Sequence, residues 1–128
     1  MEPLRNALNW FEIPVHDFDR ARKFYSHILG YELPEQISGL KKMAFFLFDH
    51  SAGAGGAIVH GMEYLPSQRG ALIYLNAGED LSPILDRVEA AGGKIELDKR
   101  PITDIPVPGY FAIIYDIDGN RIALHSRT

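Results

Sequence analysis

One spacing constrains this chain more than any other feature. Asp17 and Asp80 each stand before a stretch of helical periodicity, and Gly30 and Gly93 each stand after one. Both pairs lie 63 residues apart (80 − 17 and 93 − 30). Asp is a good N-cap because its carboxylate accepts from a free backbone N–H of the first turn, and Gly tolerates the left-handed stop. In the first stretch Phe18, Ala21, Tyr25 and Ile28 recur at helical spacing; in the second Leu81, Ile84, Leu85 and Val88 do. Pro83 falls in the first turn of the second helix, where its missing N–H has no intrahelical partner.

The flanking segments repeat too. Strands are expected at 9–15, 41–49 and 57–61, with a short one beginning at Tyr31-Glu32-Leu33. They return at 71–77, from Lys94, at 110–116 and at 120–126. Each half therefore reads β-α-β-β-β. A fixed offset between unlike sequences marks duplicated architecture. Four strands and one helix bury too little surface to stand alone. The expected fold is thus α+β: two tandem βαβββ modules in one domain over 1–128, the first about 6–62 and the second about 69–127. They are expected to join edge to edge in one curved, largely eight-stranded sheet around a cleft, with the helices outside. Concave places between repeats favour pockets.

Composition narrows the partners. Lys and Arg number 13 against 17 Asp and Glu, a net charge of −4, which carries no nucleic-acid footprint. It also argues against an anionic membrane surface. No apolar run approaches the ~18 residues of a membrane helix. The absence of cysteine removes disulfides and thiolate chemistry. The opening "MEPLRNALNWFEIPV" lacks the charged-then-apolar order of a secretion signal, so a cytoplasmic protein is expected.

The stretches "IPVHDFDRARKFYSHILGYEL", "RVEAAGGKI" and "GYFAIIYDIDGNRIALHS" resemble the vicinal oxygen chelate superfamily, which holds glyoxalase I, bleomycin-resistance proteins and extradiol dioxygenases. The resemblance runs from about residue 6 to 126 and implies the same paired βαβββ fold. It also implies a divalent metal in the cleft, held by His and Glu side chains on four strands and acting as a Lewis acid. Carried over position by position, those ligands fall at Trp10, at His60 (or Ile58 if the turn is shifted), at Leu72 and at Ala123. Indole, isobutyl and methyl groups do not bind metals. No cofactor is therefore expected, and a divalent metal would need an unusual set such as Glu12, His60 and His125.

Side chains two apart on a strand share a face. If the ligand-equivalent positions face the cleft, so do Trp10 and Glu12, Ile58 and His60, Leu72, Tyr74 and Asn76, and Arg121, Ala123 and His125. The "AIVHG" and "IALHS" endings align, which makes His60 the mirror of His125. The ligand-binding candidates are Trp10, Glu12, His60, Tyr74, Asn76 and His125. Glu12 reads as a general base, an anchor for a cationic ligand, or a carboxylate tied to Asn76 or Tyr74. His60 and His125 read as polarising groups or as strand-end residues. Trp10 and Tyr74 read as stacking surfaces or as core. The proline-rich "DKRPITDIPVPGYF" reads as a lid or as a connector.

Three functions fit these residues. The first is a small-molecule-binding glyoxalase-like protein without the usual metal ligands. The second is a lyase, isomerase or dioxygenase-type enzyme with Glu12 as base and His60 or His125 polarising an oxygen. The third is a structural or regulatory dimer without catalysis. The low-charge strands "MAFFLF" and "YFAIIY" suggest a homodimer.

Overall fold

Residues Met1–Thr128 are described by a computed structural model. The first helix, α1 (Phe18–Leu29), starts and stops where its sequence says. Asp17 accepts from Arg20 N at 3.1 Å, and Gly30 adopts φ 79° with its N–H donating to Ser26 O at 3.0 Å. Its buried stripe is Phe18, Ala21, Phe24, Tyr25 and Ile28. The second helix, α2 (Ser82–Val88), is shorter and begins one residue later than expected, with Leu81 at the N-cap position. Asp80 stands just outside and accepts from Ser82 N at 2.9 Å and from Lys99 Nζ at 2.8 Å. Leu81, Leu85 and Val88 are buried and Ile84 is half-buried.

The first module supplies β1 (Trp10–Pro14), β2 (Glu35–Ser38), β3 (Lys41–Phe45) and β4 (Gly55–His60). The second supplies β5 (Ile73–Asn76), β6 (Lys94–Pro101), β7 (Tyr110–Tyr115) and β8 (Arg121–Ser126). Strand order is β1-β4-β3-β2 in one sheet and β5-β8-β7-β6 in the other. In each, the first strand runs parallel to the last and the other pairings are antiparallel. The two βαβββ modules are thus present with matching topology. The eight strands divide into two four-stranded sheets instead of one continuous sheet, and no ladder joins β1 to β5. One cause lies at Pro14. It has no N–H to offer, and its carbonyl is taken at 2.7 Å by the Asn120 amide of the other module.

One cluster of 19 buried residues spans both modules, from Ile13, Val15 and the α1 stripe to Leu81, Leu85, Val88, Ile122 and Leu124. The helices pack on one side of the sheets and share this core. The opposite, helix-free sides of the sheets form the open faces. No helix is long and apolar enough to cross a membrane.

Candidate functional site

Strand register decides which side chains reach the open faces. In the first sheet Trp10 pairs with Gly55, Glu12 with Ala57 and Pro14 with Val59, while Phe45 and Met43 pair with Ala57 and Val59. Paired residues share a face. Trp10 and Glu12 therefore lie on the open side with Ala57 and Val59, and Ile13 and Ile58 point into the core. In the second sheet Tyr74 pairs with Ala123, Asn76 with His125, and Phe111 with His125 on its other flank. Leu75, Ile122 and Leu124 point into the core, so Tyr74, Asn76, Ala123 and His125 occupy the open side.

This arrangement corrects the reading of β4. Ile58 and His60 do not share a face with Glu12; they belong to the core-facing set. His60 Nδ1 donates to Val15 O at 3.3 Å, at the edge of the core. Nor is His60 the mirror of His125. Val15 N donates to Val59 O, and Ala77 N donates to His125 O, so the counterpart of His125 is Val59. By the same matching, Ala57 is the counterpart of Ala123 and Trp10 of Leu72. The four wall positions where the resemblance would place metal ligands are then Trp10, Ala57, Leu72 and Ala123. None has a donor atom suited to a metal, and no group of three or more His, Asp or Glu side chains converges anywhere in the chain. The residues present do not fit the metal that the resemblance implies.

Glu12 is held by two neutral donors. Tyr64 Oη donates to its Oε1 at 3.0 Å and Trp10 Nε1 to its Oε2 at 3.3 Å. The expected partners, Asn76 and Tyr74, are not involved: Asn76 Oδ1 accepts from Gly78 N at 2.9 Å. Tyr64 lies in the linker between modules, and nothing in its flanking sequence announces the contact. Trp10 is 39% exposed and sits against Phe45 and Phe48, with ring centroids 6.1 and 6.3 Å away. Tyr74 is 43% exposed, with Phe111 at 6.4 Å. Both aromatic candidates are thus surface-presenting rather than core.

His125 has a different partner again. Its Nε2 donates to Pro108 O at 2.8 Å, which pins the loop between β6 and β7. That loop closes at its base through Ile102 N to Gly109 O at 2.9 Å. Ile102, Ile105 and Val107 from the loop, with Tyr74, Asn76 and His125, line a cavity of about 370 Å³. Glu12, His60 and His125 therefore bond to separate partners and form no constellation.

A larger groove lies on the other flank of Tyr74 and Asn76. It has a volume of about 460 Å³ and runs along β5, facing Phe11, Phe46 and Phe48 of the first module. Twelve of its fourteen lining residues are hydrophobic, and none is charged. Leu72, one of the four wall positions, is among them. This size suits a small organic ligand. The most enclosed polar network lies elsewhere, at the turn Asp116–Asn120. Asp116 accepts from Tyr25 Oη at 2.6 Å, from Asn120 N and Asp118 N at 2.9 Å each, and from Asn120 Nδ2 at 3.0 Å. Arg20 Nη2 donates to Asp118 Oδ1 at 3.0 Å. Burial pushes the Asp116 carboxyl above its ordinary value; burial and the neighbouring Asp116 charge push the Tyr25 hydroxyl well above its own. This turn joins the modules and does not face the groove.

Three comparisons place this geometry among known proteins. A family model described as the Glyoxalase/Bleomycin resistance protein/Dioxygenase superfamily matches residues 7–124. A glyoxylase-like domain-containing protein from Didymella fabae is 29% identical over 127 residues, which cover 97% of this chain and 96% of that protein. Among solved structures, a V278E mutant of glyoxalase I from Zea mays superposes with a TM-score of 0.69 at 22% identity. That match covers 92% of this chain but 45% of the maize chain, so this chain spans under half of the maize enzyme. TnmS3, an antibiotic binding protein from Streptomyces sp. CB03234, gives a TM-score of 0.62 at 22% identity, covering 99% of this chain and 100% of that one. At such identities the two structures speak to the fold.

Proposed function

The chain belongs to the glyoxalase/bleomycin resistance protein/dioxygenase superfamily, and on that footing we propose that it binds a small, flat, largely apolar molecule in the groove along β5. Binding needs no metal at the superfamily's usual positions. One observation carries this reading: of the four positions where metal ligands would stand, Leu72 lines an uncharged groove walled by Phe11, Phe46 and Phe48, and Trp10, Ala57 and Ala123 offer no metal-binding atom. An apolar wall binds by excluding water from both surfaces, at roughly 25 cal/mol per Å² of apolar area covered. Exposed aromatic rings add a stacking surface for a planar guest. The likeness in fold to an antibiotic binding protein is in keeping with sequestration.

The chain's single tryptophan, Trp10, packs beside Phe48 on the groove wall and offers an intrinsic probe. Titration with planar aromatic compounds should give a saturable change in its fluorescence, unaltered by EDTA, with the compound recovered unchanged. Loss of the signal on adding EDTA would overturn the proposal.

A second reading keeps Glu12 as a general base for proton transfer next to a carbonyl. It draws on the Glu12 carboxylate standing on the open face with Tyr64 and Trp10 as its donors. His60, on the core-facing side of β4, takes no part in it. A Glu12→Gln variant with full turnover of any substrate found would exclude this role.

The exposed apolar side chains Leu40, Leu47, Met62 and Leu65 support a homodimer as part of the proposal. Sedimentation at micromolar concentration should show twice the mass of one chain.

A further inference from the structure

We infer that the groove selects an uncharged ligand bearing a cis amide, as in a lactam, held by the free backbone edge of β5. The inference rests on the reading of the groove as a small-molecule site and names the ligand's chemistry. None of the fourteen lining residues is charged, so an ionic ligand would surrender its hydration without gaining a counter-charge.

Beside the Asn76 amide and the Tyr31 and Tyr74 hydroxyls, the polar groups at the groove are backbone. β5 pairs only with β8, which leaves its other edge without a strand. Ala77 N donates to His125 O at 2.7 Å. Backbone direction alternates along a strand, so Ile73 and Leu75 also address β8, whereas Tyr74 and Asn76 turn their N–H and C=O outward. Those outward groups have no hydrogen-bond partner elsewhere in the protein. Each outward residue sets a donor beside an acceptor. A cis amide, as in a lactam, carries its N–H and C=O on one side and presents the reverse pair, much as an incoming strand does with two successive peptide units. A third polar point is Tyr31, whose hydroxyl accepts from Leu47 N at 3.1 Å and keeps its own proton for a ligand acceptor.

The test uses the whole ¹⁵N-labelled chain and three probes on one ring skeleton. They are 2-quinolinone, its N-methyl derivative (no donor), and quinoline-2-carboxylate (an anion). 2-Quinolinone should shift the Tyr74 and Asn76 amide signals and bind about tenfold tighter than the N-methyl compound, the difference of one hydrogen bond. The carboxylate should bind most weakly. Equal affinity of the two neutral probes would overturn the edge pairing and leave the apolar-groove reading standing. Tightest binding by the carboxylate would overturn the uncharged class. If no probe at millimolar concentration moves any groove signal, the inference falls together with the reading beneath it.

Discussion

The two modules close their last hairpins in opposite ways. In the second module the turn Asp116–Asn120 reaches across to the first, where Asn120 takes the Pro14 carbonyl, Tyr25 caps Asp116, and Arg20 meets Asp118. Its counterpart in the first module, around Asp49–Ala54, bonds only to itself: Ser51 N and Oγ, Ala52 N and Gly53 N all return to Asp49. Beyond that turn, at Ala54 and Gly55, the apolar groove opens toward β5. One junction is locked by a polar network in which Asp118 Oδ2 alone lacks a partner; the other bonds only within its own turn and opens onto a hollow. A duplicated fold has thus put rigidity at one seam and a cavity at the other. Buried polar groups define one geometry because each unmet partner is expensive. Apolar walls tolerate a range of guests.

The largest expected effect comes from unlocking the polar seam. Asp116→Ala leaves Tyr25 Oη, Asn120 Nδ2 and two backbone N–H groups without their acceptor. Urea unfolding should show a loss of about 3 kcal/mol. The matching change at the open seam, Asp49→Ala, should stay within about 0.5 kcal/mol, because its partners are exposed. Equal losses at both sites would erase the contrast between the seams.

The next largest effect comes from filling the cavity. A Cβ at Gly55 would run into the Phe48 ring, which lines the groove. Gly55→Ala should displace that ring at a stability loss of about 1 kcal/mol and weaken ligand binding roughly tenfold. Calorimetry reads both quantities.

Acid sharpens the comparison by sign. Asp116 titrates above its ordinary value because burial disfavours its charge. A raised carboxyl favours the folded state below its unfolded value, and that contribution fades as pH rises through the folded one. Glu96, bonded by Arg121, and Asp80, bonded by Lys99, are lowered from 4.5 and 3.8 to about 2. Their contribution is present above those ordinary values and is lost as pH falls toward about 2. Asp116 therefore opposes acid unfolding while the two surface pairs drive it. Asp116→Asn should steepen the loss of stability as pH falls toward 3.8, and Glu96→Gln should flatten the loss between pH 4.5 and about 2, as measured by denaturant midpoints across both windows.

A small effect is expected at Glu12. Tyr64→Phe removes one of its two donors on the open face and should change stability by less than about 1 kcal/mol. A change in Trp10 fluorescence would still report the freed carboxylate.

The repeat and the first helix were plain in the sequence because their signals are local: an Asp, a buried stripe at helical spacing, a Gly with positive φ. The open face of the second module was legible for the same reason, since β5 alternates between buried and exposed residues. β4 has no such alternation. Gly55 to Val59 are buried on both faces, so nothing in "GGAIVH" tells which side chain looks which way, and His60 was assigned to the wrong one. The Tyr64 contact with Glu12 and the division into two sheets depend on partners 52 and 106 residues away in the chain, beyond the reach of any local pattern.

The central claim is that the wall positions where the superfamily resemblance would place metal ligands are here without metal-binding atoms and that the ligand is held without a metal. Elemental analysis of protein purified without chelators tests it most directly. The account predicts far less than one equivalent of any divalent transition metal per chain. One tightly retained equivalent, lost together with ligand binding on dialysis against a chelator, would contradict it.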